Sequence, residues 1–158
     1  MRKGEIKMRL LVGTLDNYKL DSKGRLSVPT KWRERLGKEF YMVAVTVKGC
    51  KCLTLYPVDY FEETFEAMQN GSENQKYDAI TSFLDNAEEA VLDSQGRFTV
   101  NQRLKEAAGF TNESNVIFKG KGKFIEIWNE EENDKMNNTY DHSLGMYDLM
   151  DRLKGNNE

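Results

Sequence analysis

The feature that most constrains this chain is an internal repeat. Residues 20–28 have the sequence LDSKGRLSV and residues 92–100 have LDSQGRFTV, so six of nine positions are identical after a shift of 92 − 20 = 72 residues. Further pairs match at the same shift without a gap: Glu34 with Glu106, Gly37 with Gly109, Leu53 with Ile125, Leu55 with Ile127, and Tyr56 with Trp128. A fixed period of this kind indicates two copies of one structural unit.

The repeat also divides the chain. We place the first module at residues 8–68 and the second at residues 80–140. Residues 69–79 form a linker, because they begin with the polar, turn-forming run Gln-Asn-Gly-Ser-Glu-Asn-Gln. Residues 141–158 form a polar C-terminal tail, whose end we expect to be frayed. A chain of 158 residues is long enough for two small modules that share a core.

Each module combines short strands with short helices. The repeated Asp-Ser-x-Gly-Arg segment is typical of a turn, and the strand 26–28 follows its first copy. We predict a helix over 31–36 ending at Gly37, a hairpin of strands 40–47 and 52–56 around Lys48-Gly49, and a helix over 60–68 with Asp59 as its N-cap. The second module repeats this plan with a helix over 102–108 and strands 115–119 and 124–128 around a turn at 120–122. The predicted class is α+β, mostly β.

Charge is distributed unevenly along the chain. The net charge is −3, yet residues 19–38 carry seven Lys and Arg against two acids, 7 − 2 = +5. A basic face on an acidic body is compatible with DNA binding. The corresponding part of the second module, residues 92–109, carries 3 − 2 = +1. No apolar run approaches the roughly 18 residues that span a bilayer, and no signal peptide is recognisable, so we expect a cytoplasmic protein with no membrane contact.

The repeated turn, Asp21 to Arg25 and Asp93 to Arg97, resembles the D-x-x-G-R signature of the AbrB-like swapped-hairpin DNA-binding fold. Two copies in one chain resemble the MraZ family. The similarity runs from about Met8 to about Leu144 and includes Glu-Ile-Trp at 126–128. The resemblance implies two tandem AbrB-like swapped-hairpin modules that form a pseudo-twofold β-barrel with flanking short helices.

The same resemblance implies a function. Members of the family are transcriptional regulators that bind double-stranded DNA at direct repeats in the promoter of the division and cell-wall gene cluster. It implies autorepression of that operon, association with the nucleoid, and a homo-oligomer in the form of a ring of about eight subunits. No cofactor is expected.

The DNA-binding residues are expected in the two turns. Arg25 and Arg97 can each donate two hydrogen bonds to guanine, and a good contact of this kind discriminates by roughly 1 to 3 kcal/mol. We expect Gly24 and Gly96 to keep the loops slim enough to approach the groove. The remaining candidates are Lys23 and Gln95 in the turns, Arg33 on the following helix, and Asp21 and Asp93 as braces of the turns. A purely structural Asp–Arg salt bridge is the competing interpretation.

The two modules differ at sites that bear on DNA binding. Gln95 stands where the first module has Lys23, and Asn101 where it has Pro29. We therefore expect the first module to dominate DNA affinity. We attach no function to the N-terminal residues 1–7.

Other functions are disfavoured. His142, the single histidine, lies in the polar tail, and Gly120-Lys-Gly122 lacks the spacing of a phosphate-binding loop, so we expect no enzyme and no catalytic residue. Cys50 and Cys52 are expected to be free strand thiols, because a metal site would need ligands from another chain. Two alternatives stay open: an AbrB-like antitoxin, and an oligomeric scaffold without DNA binding that presents Phe61, Phe65 and Phe83 to a partner.

Overall fold

A computed structural model describes residues 9–155 of the protein. The strands are β1 (Leu11–Lys19), β2 (Arg25–Ser27), β3 (Glu39–Val47), β4 (Cys50–Pro57), β5 (Ala87–Val91), β6 (Arg97–Thr99), β7 (Asn115–Gly122) and β8 (Ile125–Asn129). The helices are α1 (Thr30–Leu36), α2 (Val58–Met68), α3 (Glu73–Asp85), α4 (Gln102–Ala108), α5 (Glu130–Thr139) and α6 (Gly145–Gly155). The mixed α+β class is confirmed.

Strands of the two repeats are interleaved. One sheet has the order β1-β7-β8-β4-β3-β5, and β2 pairs with β6 in a separate two-stranded ribbon. Hairpins β3–β4 and β7–β8 each lie within one repeat, whereas the antiparallel pairs β1–β7, β3–β5, β4–β8 and β2–β6 each join the two repeats. The repeats therefore exchange strands. In the described residues β1 and β5 stand at opposite ends of the sheet, so the predicted closed barrel is not found there.

A local twofold relation connects the repeats. Leu26 pairs with Phe98, and Thr54 pairs with Glu126. Both pairs join repeat equivalents, since 26 + 72 = 98 and 54 + 72 = 126. A residue that lies opposite its own equivalent in an antiparallel pair is next to a local twofold axis, so both pairs relate the two repeats by a pseudo-twofold rotation.

The repeat is not gapless in space. Phe40 pairs with Pro57 at the base of the first hairpin, and Val116 pairs with Asn129 at the base of the second. The shift is 129 − 57 = 72 for the second strand of each hairpin but 116 − 40 = 76 for the first. Compared with the first repeat, the second has four more residues before β7, and its hairpin β7–β8 is four residues shorter than β3–β4. The ungapped match predicted from the sequence is wrong here, because two length changes cancel.

The core is common to both repeats. Leu26 and Phe98 point inward from the ribbon and are almost completely buried. Phe98 meets Phe40 edge to face, with 5.4 Å between ring centroids. Burial of each large apolar side chain contributes about 1.5 to 3 kcal/mol. The position of the ribbon is therefore fixed by the side chains beneath it.

Several predicted boundaries need correction. Helices α1 and α4 match their predictions within a residue, but α2 begins at Val58, so Asp59 lies inside its first turn and is not the N-cap. Strand β7 continues to Gly122, which moves the predicted turn at 120–122 toward Lys123. The segment predicted as a linker contains the start of α3, which Ser72 caps by accepting a hydrogen bond from the Gln75 amide. The predicted tail contains α6.

Cys50 and Cys52 are free thiols, as predicted, and both are buried beside Trp128 and Met136. Burial raises the pKa of the Cys52 thiol, which keeps it protonated and unreactive. No helix within residues 9–155 is long and apolar enough to cross a bilayer.

Candidate nucleic-acid interface

The two repeated turns meet at the β2–β6 ribbon. Successive residues of a strand point to opposite faces, so the inward positions of Leu26 and Phe98 place their neighbours on the outer face. That outer face carries Arg25, Ser27, Arg97 and Thr99. The side chains of Arg25 and Arg97 are 29% and 27% exposed. The ribbon thus presents two partly exposed arginines on one face.

The register places these arginines on a diagonal. Arg25 lies opposite Thr99, and Ser27 lies opposite Arg97. Diagonal neighbours in an antiparallel pair are separated by about 7 to 8 Å. The ladder continues at both ends, where the Val28 amide donates to the Gly96 carbonyl at 3.0 Å and the Val100 amide donates to the Gly24 carbonyl at 2.8 Å. Both turns are therefore fixed to the opposite repeat.

One carboxylate organises each turn. Asp21 accepts hydrogen bonds from the amides of Lys23 at 2.9 Å and Arg25 at 2.8 Å, and from Arg25 Nε at 2.7 Å. Asp93 accepts the equivalent bonds from the Gln95 and Arg97 amides, both at 2.9 Å, and from Arg97 Nε at 3.0 Å. Each arginine is thereby held through Nε, and its two terminal nitrogens take no part in these bonds.

The surroundings of Asp21 and Asp93 also favour the charged form of each carboxylate. Partial burial raises the pKa of Asp21, but the hydrogen bonds from Arg25 and Lys23 outweigh it, and the net pKa is lowered. The hydrogen bond from the Arg97 amide is the largest influence on Asp93, whose pKa is also lowered. Both carboxylates are charged at neutral pH, which keeps the arginines oriented.

Gly24 and Gly96 are needed for packing. Both are buried and have positive φ, 76° and 77°. A Cβ on Gly96 would lie 2.3 Å from Cζ of Arg33, and one on Gly24 would lie 3.1 Å from the Val100 carbonyl oxygen and 3.4 Å from Nζ of Lys105. Both glycines thus pack against the opposite repeat, and their role in keeping the loops slim enough to approach the DNA groove stays a prediction.

Arg33 supports the turn of the other repeat. Its Nε donates to the Val28 carbonyl at 2.8 Å, and its guanidinium covers Gly96. The repeat equivalent Lys105, at 33 + 72, takes the same place near Gly24 and donates to Asn112 Oδ1 at 2.8 Å. Asn112 Nδ2 in turn donates to the Ser22 carbonyl at 3.0 Å.

The sequence-based candidates are thus largely brought together. Lys23 and Gln95 lie exposed at the two turns, beside Arg25 and Arg97. Sequence reasoning left out Lys105 and Asn112 as parts of the site. Its own repeat alignment carried the signal for Lys105, because that residue is the equivalent of Arg33.

The described residues offer hydrogen-bond donors rather than metal ligands at this surface. No cluster of three or more His, Cys, Asp or Glu side chains within residues 9–155 could hold a metal ion. His142 stacks on Tyr140, with 6.2 Å between ring centroids. What the ribbon can do chemically is donate oriented hydrogen bonds to an anionic or acceptor-rich partner.

Comparison with known proteins identifies the family. The family model for the MraZ protein, described as antitoxin-like, matches residues 11–82 and again residues 83–154, a spacing of 83 − 11 = 72. A protein of Finegoldia magna named transcriptional regulator MraZ is 35% identical over 139 residues, 86% of this chain and 92% of the relative. Proteins of the same name from Alkaliphilus oremlandii and Corynebacterium jeikeium are 33% and 39% identical and cover 87% and 72% of this chain, and 92% and 77% of their own lengths. The chain therefore belongs to the MraZ family.

Proposed function

We propose that this protein is a sequence-specific DNA-binding transcriptional regulator and that the β2–β6 ribbon contacts the bases. One observation carries the proposal: Arg25 and Arg97 lie on the same outer face of a two-stranded ribbon, and each is oriented by a carboxylate. The relatives named transcriptional regulators support the same function.

The geometry suits the major groove. A two-stranded ribbon fits that groove, where guanine presents O6 and N7 as paired acceptors. The terminal nitrogens of Arg25 and Arg97 would donate to these atoms, while Nε stays bonded to Asp21 or Asp93. The exposed Lys23 would contact phosphate. Because the carboxylates face the arginines, their charge orients the reading groups instead of repelling the DNA.

A single ribbon offers few base contacts, so affinity must come from repetition. Phosphate contacts alone give dissociation constants of only roughly 10⁻⁴ to 10⁻⁶ M. Linked copies raise avidity by roughly 10² to 10⁴. We therefore propose a homo-oligomer, a ring of about eight subunits, that binds direct repeats in the promoter of the division and cell-wall gene cluster. It would act in the cytoplasm at the nucleoid and repress its own operon.

The test compares DNA just upstream of the gene with scrambled DNA of equal length. Fluorescence anisotropy across a salt series would give the affinity of the wild type and of Arg25→Ala. We expect the wild type to prefer the upstream DNA by at least tenfold and Arg25→Ala to lose most of that preference. Lys135→Ala is the matched control, because Lys135 is an exposed cation on α5, outside the ribbon.

Folding and assembly must be checked in the same samples by thermal melting and light scattering. A wild type without any preference over scrambled DNA would overturn the proposal and favour the scaffold function. An Arg25→Ala variant that stays folded and keeps the full preference would overturn the assignment of the ribbon as the base-contacting element.

A further inference from the structure

The second repeat contains extra residues next to the first turn. Residues 37 and 38 connect α1 to β3 in the first repeat, whereas residues 109–114 connect α4 to β7 in the second. Gly109 is the equivalent of Gly37, so the five residues 110–114, with the sequence FTNES, stand in the place of Lys38. We call residues 110–114 the inserted loop. Because only one repeat has it, the two turns of the ribbon have different surroundings.

The inserted loop has a fixed shape. Phe110 is buried in the core that both repeats share. The Thr111 amide donates to Ser114 Oγ at 2.9 Å, and the Ser114 amide donates to the Thr111 carbonyl at 3.0 Å. Bonds of this kind between a serine side chain and nearby backbone stabilise tight turns. The loop is thus anchored at its start and closed on itself, so it can hold a neighbouring segment in place.

Backbone hydrogen bonds join the inserted loop to the start of the first turn. The Leu20 amide donates to the Ser114 carbonyl at 3.0 Å, and the Glu113 amide donates to the Leu20 carbonyl at 2.8 Å. At the second turn, the amide of the equivalent Leu92 donates to the Lys38 carbonyl at 2.9 Å. Within residues 9–155, one backbone bond at the second turn therefore takes the place of two at the first.

Asn112 extends this contact into the turn itself. Its Nδ2 donates to the Ser22 carbonyl at 3.0 Å, and its Oδ1 accepts a hydrogen bond from Lys105 Nζ at 2.8 Å. The amide side chain therefore bridges the first turn and helix α4. The shorter connection at residues 37 and 38 has no asparagine that could form such a bridge to the second turn.

The peptide group between Ser22 and Lys23 is bonded on both sides. Its N–H donates to Asp21 Oδ1 at 2.9 Å, and its carbonyl accepts from Asn112. The equivalent peptide group at residues 94–95 has the same bond to its own carboxylate, also at 2.9 Å, but within residues 9–155 its carbonyl accepts no hydrogen bond. A peptide group held on both sides cannot rotate without breaking a bond. The first turn is therefore restrained more strongly than the second.

We propose that the inserted loop preorganises the first turn for DNA binding and that Asn112 is the positioning residue. Lys23 and Arg25 lie on either side of Gly24, so the direction of both cations depends on how firmly the backbone of the turn is held. A group that is already ordered in the free protein loses less conformational freedom on binding. The inference rests on the proposed function, because it makes the first turn the more selective end of the DNA-binding ribbon.

Substitution of Asn112 tests the inference in DNA binding. Asn112→Ala removes both side-chain hydrogen bonds and no cation, and the residue is exposed, so the fold should persist. Fluorescence anisotropy should show an affinity for the upstream DNA that falls by roughly three- to tenfold, as expected for the loss of one hydrogen bond, with little change for scrambled DNA. Asn137→Ala is the matched control, because Asn137 is an exposed asparagine on α5. A folded Asn112→Ala variant that keeps the full preference would overturn the inference.

Hydrogen exchange of the free protein distinguishes a positioning role from a direct DNA contact. In Asn112→Ala, amides of residues 20–25 should exchange with solvent faster than in the wild type, while those of the equivalent residues 92–97 keep their rates. Asn112→Asp can still accept from Lys105 but cannot donate to the Ser22 carbonyl, so it should show the same faster exchange. Wild-type exchange at the first turn in either variant would overturn the positioning role.

Failure of this inference can be told from failure of the proposed function. A wild type that prefers the upstream DNA, together with an Asn112→Ala variant of equal preference, overturns the inference and leaves the DNA-binding function in place. A wild type without any preference overturns the proposed function, and the inference falls with it.

Discussion

Arg33 and Gly96 show, at the level of single residues, how each repeat completes the turn of the other. A glycine without a side chain lets the guanidinium approach the turn, and the bond from Arg33 Nε to the Val28 carbonyl fixes that guanidinium in place. Lys105 and Gly24 form the weaker counterpart, with a closest approach of 3.4 Å instead of 2.3 Å for an added Cβ. The D-x-x-G-R glycine is thus required by the neighbouring repeat as well as by its positive φ.

This arrangement predicts a larger cost for Gly96→Ala than for Gly49→Ala. Both glycines have positive φ, but a Cβ on Gly49 would meet nothing within 4 Å. Gly49→Ala should lower the free energy of unfolding by about 1 to 2 kcal/mol through backbone strain alone. Gly96→Ala should cost about 1 kcal/mol more, because Arg33 must leave its hydrogen bond. Urea unfolding at one protein concentration measures both, and in an Arg33→Ala background the cost of Gly96→Ala should fall toward that of Gly49→Ala. Equal costs in the wild-type background would contradict the prediction.

The braces Asp21 and Asp93 predict a loss of stability in acid. A carboxylate whose pKa is lower in the folded state stabilises that state above its ordinary pKa, about 3.9, and the contribution disappears as pH falls through the folded-state pKa. The melting temperature of the wild type should therefore fall when pH is lowered from 5 toward about 3. Asp93→Asn should show a smaller fall, since its side chain can accept hydrogen bonds but does not titrate.

The control for this titration is Asp78→Asn, which removes an exposed carboxylate of α3 that braces no turn. Its melting temperature should follow the wild-type pH dependence. If Asp93→Asn were as sensitive to acid as the wild type, the carboxylate would not be what holds Arg97 in place.

At the level of elements, local features were predictable and long-range ones were not. Helix α4 matches its prediction because Asn101 caps it and Gly109 ends it within the same short segment. The pairing of β2 with β6 joins residues that are 72 positions apart. The sequence shows that these residues are similar, but it does not show that they pair. Helix α3 was missed because its first turn is polar and only Phe83 is buried. The Asp–Arg bonds could be predicted because both residues lie in one short turn. The contact of Arg33 with Gly96 could not, because it depends on how the twofold relation brings the two repeats together.

The cross-repeat pair of β1 and β7 predicts a strong effect of a small substitution. A Cβ on Gly120 would lie 2.6 Å from both the Leu11 carbonyl carbon and the Val12 nitrogen, which are backbone atoms that cannot rotate away. Gly120→Ala should therefore push β1 from the sheet at a cost of about 1 to 3 kcal/mol. Amides of β1 should exchange with solvent faster, while those of the β3–β4 hairpin keep their rates.

Hydrogen exchange followed by mass spectrometry resolves these segments. Lys121→Ala is the matched control, because it changes an exposed side chain of the same strand without adding bulk. Unchanged protection of β1 in Gly120→Ala would mean that the strand accommodates the methyl group.

At the level of the whole molecule, strand exchange redistributes charge. The sequence assigns +5 to residues 19–38 and +1 to residues 92–109, but in space Lys105 lies at the first turn and Arg33 at the second. The first turn thus has three nearby cations, Lys23, Arg25 and Lys105, and the second has two, Arg97 and Arg33. The predicted dominance of the first module in DNA affinity therefore depends mainly on the difference between Lys23 and Gln95.

That difference has a consequence for the proposed operator. A symmetric ribbon would bind equally well in both directions and would favour inverted repeats, because the symmetry of a site mirrors that of its reader. Direct repeats require a DNA-binding surface whose two ends differ. The ribbon has such a difference at its exposed turns, where the first carries Lys23 and the second carries Gln95. Gln95→Lys should therefore raise overall affinity, increase the salt dependence by about one phosphate contact, and reduce the preference for direct over inverted repeats. Anisotropy titrations with paired sites in each orientation measure that ratio. Gln75→Lys, with its cation on α3, should leave the ratio unchanged, and a ratio that Gln95→Lys also leaves unchanged would show that polarity originates elsewhere in the oligomer.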